Sequence, residues 1–493
     1  MNPIDLSRAT LSQVGAPVRV PAFDLARVTP GIVHLGLGGF HRAHMARYTH
    51  ALMERNADAL GFGIVGAGLR PADKAMVDSL SPQDNLYSLV ERSGTEETVT
   101  IIGSLASLAY AGEDSIALLE TVADPRIRIV SLTVTENGYC LNPATKVLDP
   151  EHLLIQRDLA TPARPASAIG VVVEALRRRR DAQQAAFTAL SCDNIQHNGR
   201  VLHDAVLALA RLRDPALAQW IKDNAAFPNT MVDRITPVTA PADIAYLAER
   251  YGIRDRWPVV CEAFTQWIIE DRFPAGRPAW EQVGAQFVAD VAPYEAMKLR
   301  LLNASHLAVA GLGRLAGLTY IDETMANPAL RAYMAALMER EAAPTLPPVP
   351  GIDLIAYQRT LIERFANPAI KDTVERVNTD APLNVLIDPI RTRLDTGGSV
   401  DLLALALAAW LRRMRGEDEQ GQPIEIRHPL AAVLRERAVA GGPNPAPLLA
   451  IAPLFGDLGS DPRLAGPVGR WLASLYARGS MATLLQAREE LRF

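Results

Sequence analysis

Four side chains that can move a proton or hold a developing negative charge lie close together in Glu295-Ala-Met-Lys298-Leu-Arg-Leu-Leu-Asn303-Ala-Ser-His306. On a uniform helix advancing about 100° per residue from Lys298, Glu295, His306 and Asn303 fall at roughly 60°, 80° and 140°, so all four share one side. A lysine held beside other donors in a dry cleft can lose its proton near neutral pH and act as general base toward an alcohol. An asparagine amide can steady the alkoxide that develops as hydride leaves. The same spacing also fits a surface helix in which Glu and Lys pair three residues apart.

A second signal is the turn Gly36-Leu-Gly38-Gly39-Phe40-His41, between an apolar strand and a helical stretch carrying His44 and Tyr48. Strand, glycine turn and helix together let backbone N–H groups approach a pyrophosphate. Gly36, Gly38, Gly39 and Phe40 are therefore candidates for holding a dinucleotide. The usual third glycine is His41 here, and a tight connection alone would use the same residues. An acidic residue normally receives the adenosine ribose after the second strand. The first carboxylate there is Asp73, later than usual, and Arg70 beside it suits a 2′-phosphate, so NADP stays open beside NAD. Asn194, just past the strand-like run Phe187 to Cys192, and Asp233, after a short apolar step, lie where ligands gather in α/β proteins. Either could instead cap a turn.

These residues need a scaffold. Strand-like runs at 31–35, 61–65, 98–102, 127–134 and 187–192 alternate with helical stretches such as 43–55 and 115–122, which indicates a mostly parallel sheet covered on both faces. Beyond about Pro293 strands become scarce and Ala- and Leu-rich helical segments dominate, at 294–315, 328–341, 400–415 and 464–491. The expected fold is α/β, a Rossmann-type dinucleotide-binding domain over residues 1–290 followed by a mainly α-helical domain over 291–493.

Composition narrows the class further. With 493 residues, 49% hydrophobic, two substantial domains are expected. Lys plus Arg number 50 against 55 Asp plus Glu, a net charge of -5 that argues against a nucleic-acid partner. The run Arg177 to Arg180 closes a helical segment, where cations complement the dipole. Three scattered cysteines disfavour a disulfide scaffold or a zinc knuckle. The longest apolar run, Leu402 to Leu411, is about half a membrane span. With no cationic and apolar leader over Met1 to Gln13, a cytoplasmic enzyme is expected, monomeric or a small homo-oligomer.

Taken together, the motifs resemble the polyol-specific long-chain dehydrogenases, the family of the mannitol and D-arabinitol dehydrogenases. The matching blocks are Gly31 to His44, Gln83-Asp-Asn-Leu-Tyr87, Thr133-Val-Thr-Glu136-Asn-Gly-Tyr139, Ser191-Cys-Asp-Asn194, Met231 to Pro237, Trp257-Pro-Val-Val-Cys-Glu262, and Pro293 to Lys298 with Asn303 and His306. The likeness runs from about residue 30 to residue 420. It implies a Rossmann-type domain, a helical domain and an active site in the cleft between them, with no metal required. By resemblance Lys298 is the general base and Asn194 and Asn303 form the oxyanion site. Asp233, His306 and Arg376 bind substrate, while Glu295 and Glu136 pass the proton toward water.

The resemblance further implies NAD-dependent interconversion of a polyol and its 2-ketose, D-mannitol and D-fructose being the leading pair. D-arabinitol with D-xylulose, or reduction of a hexuronate of the fructuronate type, are the alternatives. An NAD-binding protein without turnover is the outsider. One departure bears on substrate choice. After Arg376 the mannitol enzymes carry a lysine that touches the polyol, and Asn384 stands at that place. Losing a cation makes a carboxylated substrate less attractive.

Overall fold

A computed structural model describes residues 3–112, 115–143 and 145–493. The chain divides into two compact units, Met1–Ala292 and Pro293–Phe493.

The first unit is built on five parallel strands: β1 (Pro30–Leu35), β2 (Gly63–Gly68), β3 (Leu105–Tyr110), β4 (Ile129–Leu132) and β5 (Thr188–Ser191), in the spatial order β3-β2-β1-β4-β5. Alternate residues enter two different cores. Val33, Leu35, Val65, Val130 and Leu132 pack with Val172, Leu176, Leu202 and Val206, which lie on the helices Ala168–Asp181 and Asn198–Arg213. Ile32, Ile64, Ile129 and Leu190 pack with Tyr48, Leu52, Trp267 and Trp280 on the opposite face. Burial on both faces is why these strands read as continuous apolar runs rather than alternating ones. The order and the flanking helices make this a Rossmann-type domain.

Several expectations shift. The run 127–134 is a strand only over Ile129–Leu132. The helix expected at 43–55 is two helices, Gly39–Ala43 and Met45–Met53, broken at His44 with φ -115° and ψ -92°. Strand Glu96–Ile102 belongs to a separate sheet, antiparallel to Tyr87–Ser93. The short apolar step before Asp233 is a strand, Thr230–Asp233, antiparallel to Gln266–Glu270. The basic run is structural: Arg177 and Arg178 bond Glu174, Arg180 bonds Asp214, and buried Arg179 donates to the carbonyls of Ala185, Asp124 and Ile127.

The second unit is helical. The apolar run Leu402 to Leu411 forms the buried helix Asp401–Arg413, a core helix of the unit. The segment carrying Lys298 is one continuous helical run but not a uniform α-helix. It is α over Ala292–Met297, a π-turn over Lys298–Asn303, and α again over Ala304–Leu315. The angular arithmetic based on 100° per residue therefore fails across it. In the widened turn the amide of Ala304 donates to the carbonyl of Leu299, five residues back. Such i→i+5 bonding brings residues five apart, Lys298 and Asn303 among them, nearer to one face than an α-helix does.

Candidate active site

In the first unit the glycine turn follows β1. Gly36 has φ +94°, and a Cβ there would lie 2.2 Å from the carbonyl oxygen of Thr133, so the position admits no side chain. At Gly38 and Gly39 the nearest atoms to an added Cβ are 3.9 and 3.7 Å away. Those two glycines leave space over the turn rather than relieve a clash, which is what close backbone approach to a pyrophosphate requires. Phe40 stacks on His44 with ring centroids 4.9 Å apart.

The imidazole at the third glycine position has its own partner. His41 is buried and stacks on His34 of β1, centroids 3.5 Å apart and planes 15° off parallel. The helix is held off the strand by two stacked rings instead of packing through a glycine. Thr133 Oγ1 donates to the Gly36 carbonyl at 2.8 Å, which spends its one hydrogen. His34 Nε2, 2.8 Å from that hydroxyl, is therefore the protonated nitrogen, and Nδ1 accepts from Ser131 Oγ at 2.8 Å. Burial lowers the His34 pKa to about 3, against the weaker raising effect of Gly36, so the ring stays neutral.

Asp73 is buried beyond β2, but its oxygens already accept from the amides of Leu69 and Arg70 and from Nε and Nη2 of Arg70. It organises the loop around itself and neutralises Arg70. Burial raises its carboxyl, yet the bonds from Arg70 and the Leu69 amide outweigh that and hold it below the usual range.

Asn194 is exposed past the end of β5. Its neighbour Asp193, 5% exposed, accepts from the amides of Val134 and Thr135 and from the Tyr139 hydroxyl. Glu136 lies one residue beyond Thr135, is exposed, and pairs with Lys146 at 2.8 Å. Asp233, buried, closes the strand Thr230–Asp233 opposite Gln266. Arg234, next to it, bonds Glu91 and the carbonyls of Ala43 and Glu262.

In the second unit Glu295, Lys298 and His306 are 5%, 8% and 6% exposed, and Asn303 is half-buried. The surface-helix reading is thereby overturned. The His306 ring stacks on Phe365 with centroids 4.1 Å apart, and its Nε2 lies 3.8 Å from Oδ2 of Asp372. Arg376, exposed, reaches the same carboxylate with Nε at 2.6 Å and Nη2 at 2.5 Å. Asp372 thus ties together two residues singled out from sequence, and sequence reasoning missed it. Its only local signal is its place four residues before Arg376, which many surface pairs share. Asn384 is exposed as the first residue of the helix Asn384–Asp395.

Among the described residues no group of three or more His, Cys, Asp or Glu side chains could hold a metal ion, and no helix is long and apolar enough to cross a membrane.

A Rossmann-type domain with a glycine turn, followed by a helical domain that buries a lysine and a histidine beside a half-buried asparagine, defines the class: a two-domain nucleotide-binding protein. Residues 30–282 match the mannitol dehydrogenase Rossmann domain, and residues 290–476 match the mannitol dehydrogenase C-terminal domain. The chain belongs to the mannitol dehydrogenase family. It is 43% identical to mannitol 2-dehydrogenase of Aspergillus fumigatus over 98% of this chain and 99% of that one. It is also 43% identical to D-mannonate oxidoreductase of Escherichia coli, over 96% of this chain and 98% of that one. The solved mannitol 2-dehydrogenase of Pseudomonas fluorescens, a ternary complex with NAD and D-mannitol, is 42% identical with a TM-score of 0.90, covering 99% of this chain and 100% of that one.

Proposed function

We propose that the protein is an NAD-dependent secondary-alcohol dehydrogenase that interconverts a polyol and its 2-ketose, D-mannitol and D-fructose being the leading pair. The observation that carries the reading is the burial of Lys298, Glu295 and His306, with Asn303 beside them, on one helical run of a chain in this family. We assign residues 1–290 to nucleotide binding and 291–493 to substrate and proton handling. The reading carries with it a cytoplasmic enzyme, monomeric or a small homo-oligomer.

When bound, NAD supplies the acceptor for the hydride. Gly36, Gly38, Gly39 and Phe40 would hold it, and the open space over Gly38 and Gly39 fits a pyrophosphate. The Asp73–Arg70 loop would face the adenosine side, and its neutralised guanidinium favours NAD over NADP. Lys298, in its neutral form, takes the proton of the reacting hydroxyl, and removal from water favours that form of an amine. Asn194 and Asn303 donate amide hydrogens to the oxygen as charge builds on it. His306, Asp233 and Arg376 bind the remaining hydroxyls. Glu295 and Glu136 hand the released proton on to water. No metal is needed, because the amides and the lysine share the charge.

The kinship to D-mannonate oxidoreductase supports a second reading, a sugar-acid oxidoreductase. A carboxylate would need a free cation, whereas Arg376 is bidentate to Asp372 and Asn384 is neutral. Polyols therefore stay ahead. A panel of D-mannitol, D-arabinitol, D-fructose, D-xylulose and D-mannonate, run with NAD(H) and NADP(H), tests this. Turnover of D-mannonate alone would replace the polyol reading, and cofactor binding without any turnover would remove the enzyme. Lys298→Ala should lower turnover by about 1,000-fold or more while NADH still binds; wild-type turnover in that variant would sink the assignment.

A further inference from the structure

Thr135 has φ 61° and ψ 171°, a conformation that a β-branched residue avoids and that persists only where its surroundings impose it. The imposing group is Asp193. Its Oδ1 accepts from the Thr135 amide at 2.7 Å, and its Oδ2 accepts from the Val134 amide at 3.1 Å and the buried Tyr139 hydroxyl at 2.8 Å. Asp193 is itself anchored. Its carbonyl accepts from Asn198 Nδ2 at 3.0 Å, and the same amide reaches the Thr230 carbonyl at 2.9 Å. β4 and β5 are neighbours in the sheet, so one buried carboxylate joins the exits of two adjacent strands. Glu136 follows the strained threonine on one exit, and Asn194 follows Asp193 on the other.

We propose that Asp193 is a positioning residue of the dehydrogenase site: its carboxylate holds Thr135 in a conformation the chain would otherwise leave, and so sets the strand exits carrying Glu136 and Asn194 together. This rests on the roles proposed above for those two residues. An asparagine at 193 keeps one acceptor oxygen and turns its amide hydrogens toward the Val134 or the Thr135 N–H, each a donor that cannot accept, so the clamp opens. A glycine at 135 adopts the same φ and ψ without a clamp.

The experiment is a double-mutant cycle of Asp193→Asn and Thr135→Gly, read by kcat on the best polyol at saturating NAD and by NADH affinity. Asp193→Asn should lower kcat about 30-fold with NADH affinity within about threefold of wild type. In the Thr135→Gly background the same change should cost about threefold. An unchanged kcat in Asp193→Asn, an equal loss in both backgrounds, or loss of NADH binding in step with kcat would each overturn the proposal. If Asp193→Asn does not fold, a folded double variant with kcat within about threefold of Thr135→Gly supports the coupling, and an unfolded or inactive one refutes it. If the wild-type protein turns over no polyol, the proposed function fails instead. The melting temperatures of the four proteins then close the same cycle, non-additive for a clamp and additive without one.

Discussion

At the scale of single residues, the candidate chemistry was legible where type and spacing coincide. Lys298, Asn303 and His306 fall within nine residues of one leucine-rich helical run, where no core packing argument asks for them, although the π-turn removes the uniform spacing that grouped them. Asp372 and Asp193 were not legible. Each is a short carboxylate in a loop or at a strand end, and its importance comes from what folding brings to it. Asp372 accepts two hydrogen bonds from Arg376 and lies beside His306, so both proposed substrate-binding groups take their orientation from it. Replacing it with asparagine removes one charged acceptor from a bidentate pair, a loss of about 1–3 kcal/mol. The expected outcome is a polyol KM raised tenfold or more with NADH affinity unchanged. A KM within a factor of two of wild type would show that Arg376 and His306 orient themselves.

At the scale of elements, strand, turn and helix could be placed from apolar runs and glycines, and four of the five strands of the central sheet, all but β3, were located to within a few residues. The π-turn at Lys298–Asn303 was invisible, because its sequence is as good a helix former as its flanks and the period changes without a marker residue. Outside the main sheet the run 98–102 was read as a strand but not assigned to its separate sheet, because a run of four or five apolar residues does not declare a partner. The glycine turn allows a sharp contrast. At Gly36 a Cβ would meet the Thr133 carbonyl at 2.2 Å and the backbone is at φ +94°, so Gly36→Ala should lower the melting temperature by several degrees and abolish NADH binding. At Gly38 a Cβ meets nothing closer than 3.9 Å. Gly38→Ala should therefore melt like wild type yet bind NADH at least tenfold more weakly, as a methyl group intrudes on the pyrophosphate. Fluorescence titration and thermal melts separate the two. Equal NADH affinity in Gly38→Ala would place the cofactor elsewhere.

At the scale of the whole molecule, two domains were expected from chain length and from the loss of strand-like runs beyond about Pro293, but the pH response is not legible that way, because it depends on which histidines end up inside. Burial lowers His34 to about 3 and His50 to about 4, and burial together with the charges of His34, Arg42 and His44 takes His41 well below its ordinary value. All three lie in the first unit. Each takes up a proton near pH 6.5 when the chain is unfolded and refuses it when folded. The stability they allow is therefore complete above pH 6.5 and is lost as pH falls through 6.5 toward 4 and 3. The slope is about 1.4 kcal/mol per pH unit for each fully depressed histidine. Together they remove of order 5 kcal/mol by pH 5, comparable with the whole stability of an ordinary domain. Carboxylates held low by partners, such as Glu174, raised by burial but lowered further by Arg177 and Arg213, add to the loss only below about pH 4.5, their unfolded value. The urea midpoint of the first unit, followed by tryptophan fluorescence, should fall steeply between pH 6.5 and pH 5, before carboxylates that partners hold low, such as Glu174, are protonated. His50→Gln, away from the glycine turn, should flatten that slope by one histidine's share. A midpoint independent of pH over this interval would mean that the rings are protonated in the folded chain, and a charged His34 would then have to donate from Nδ1 to Ser131 Oγ instead of accepting from it.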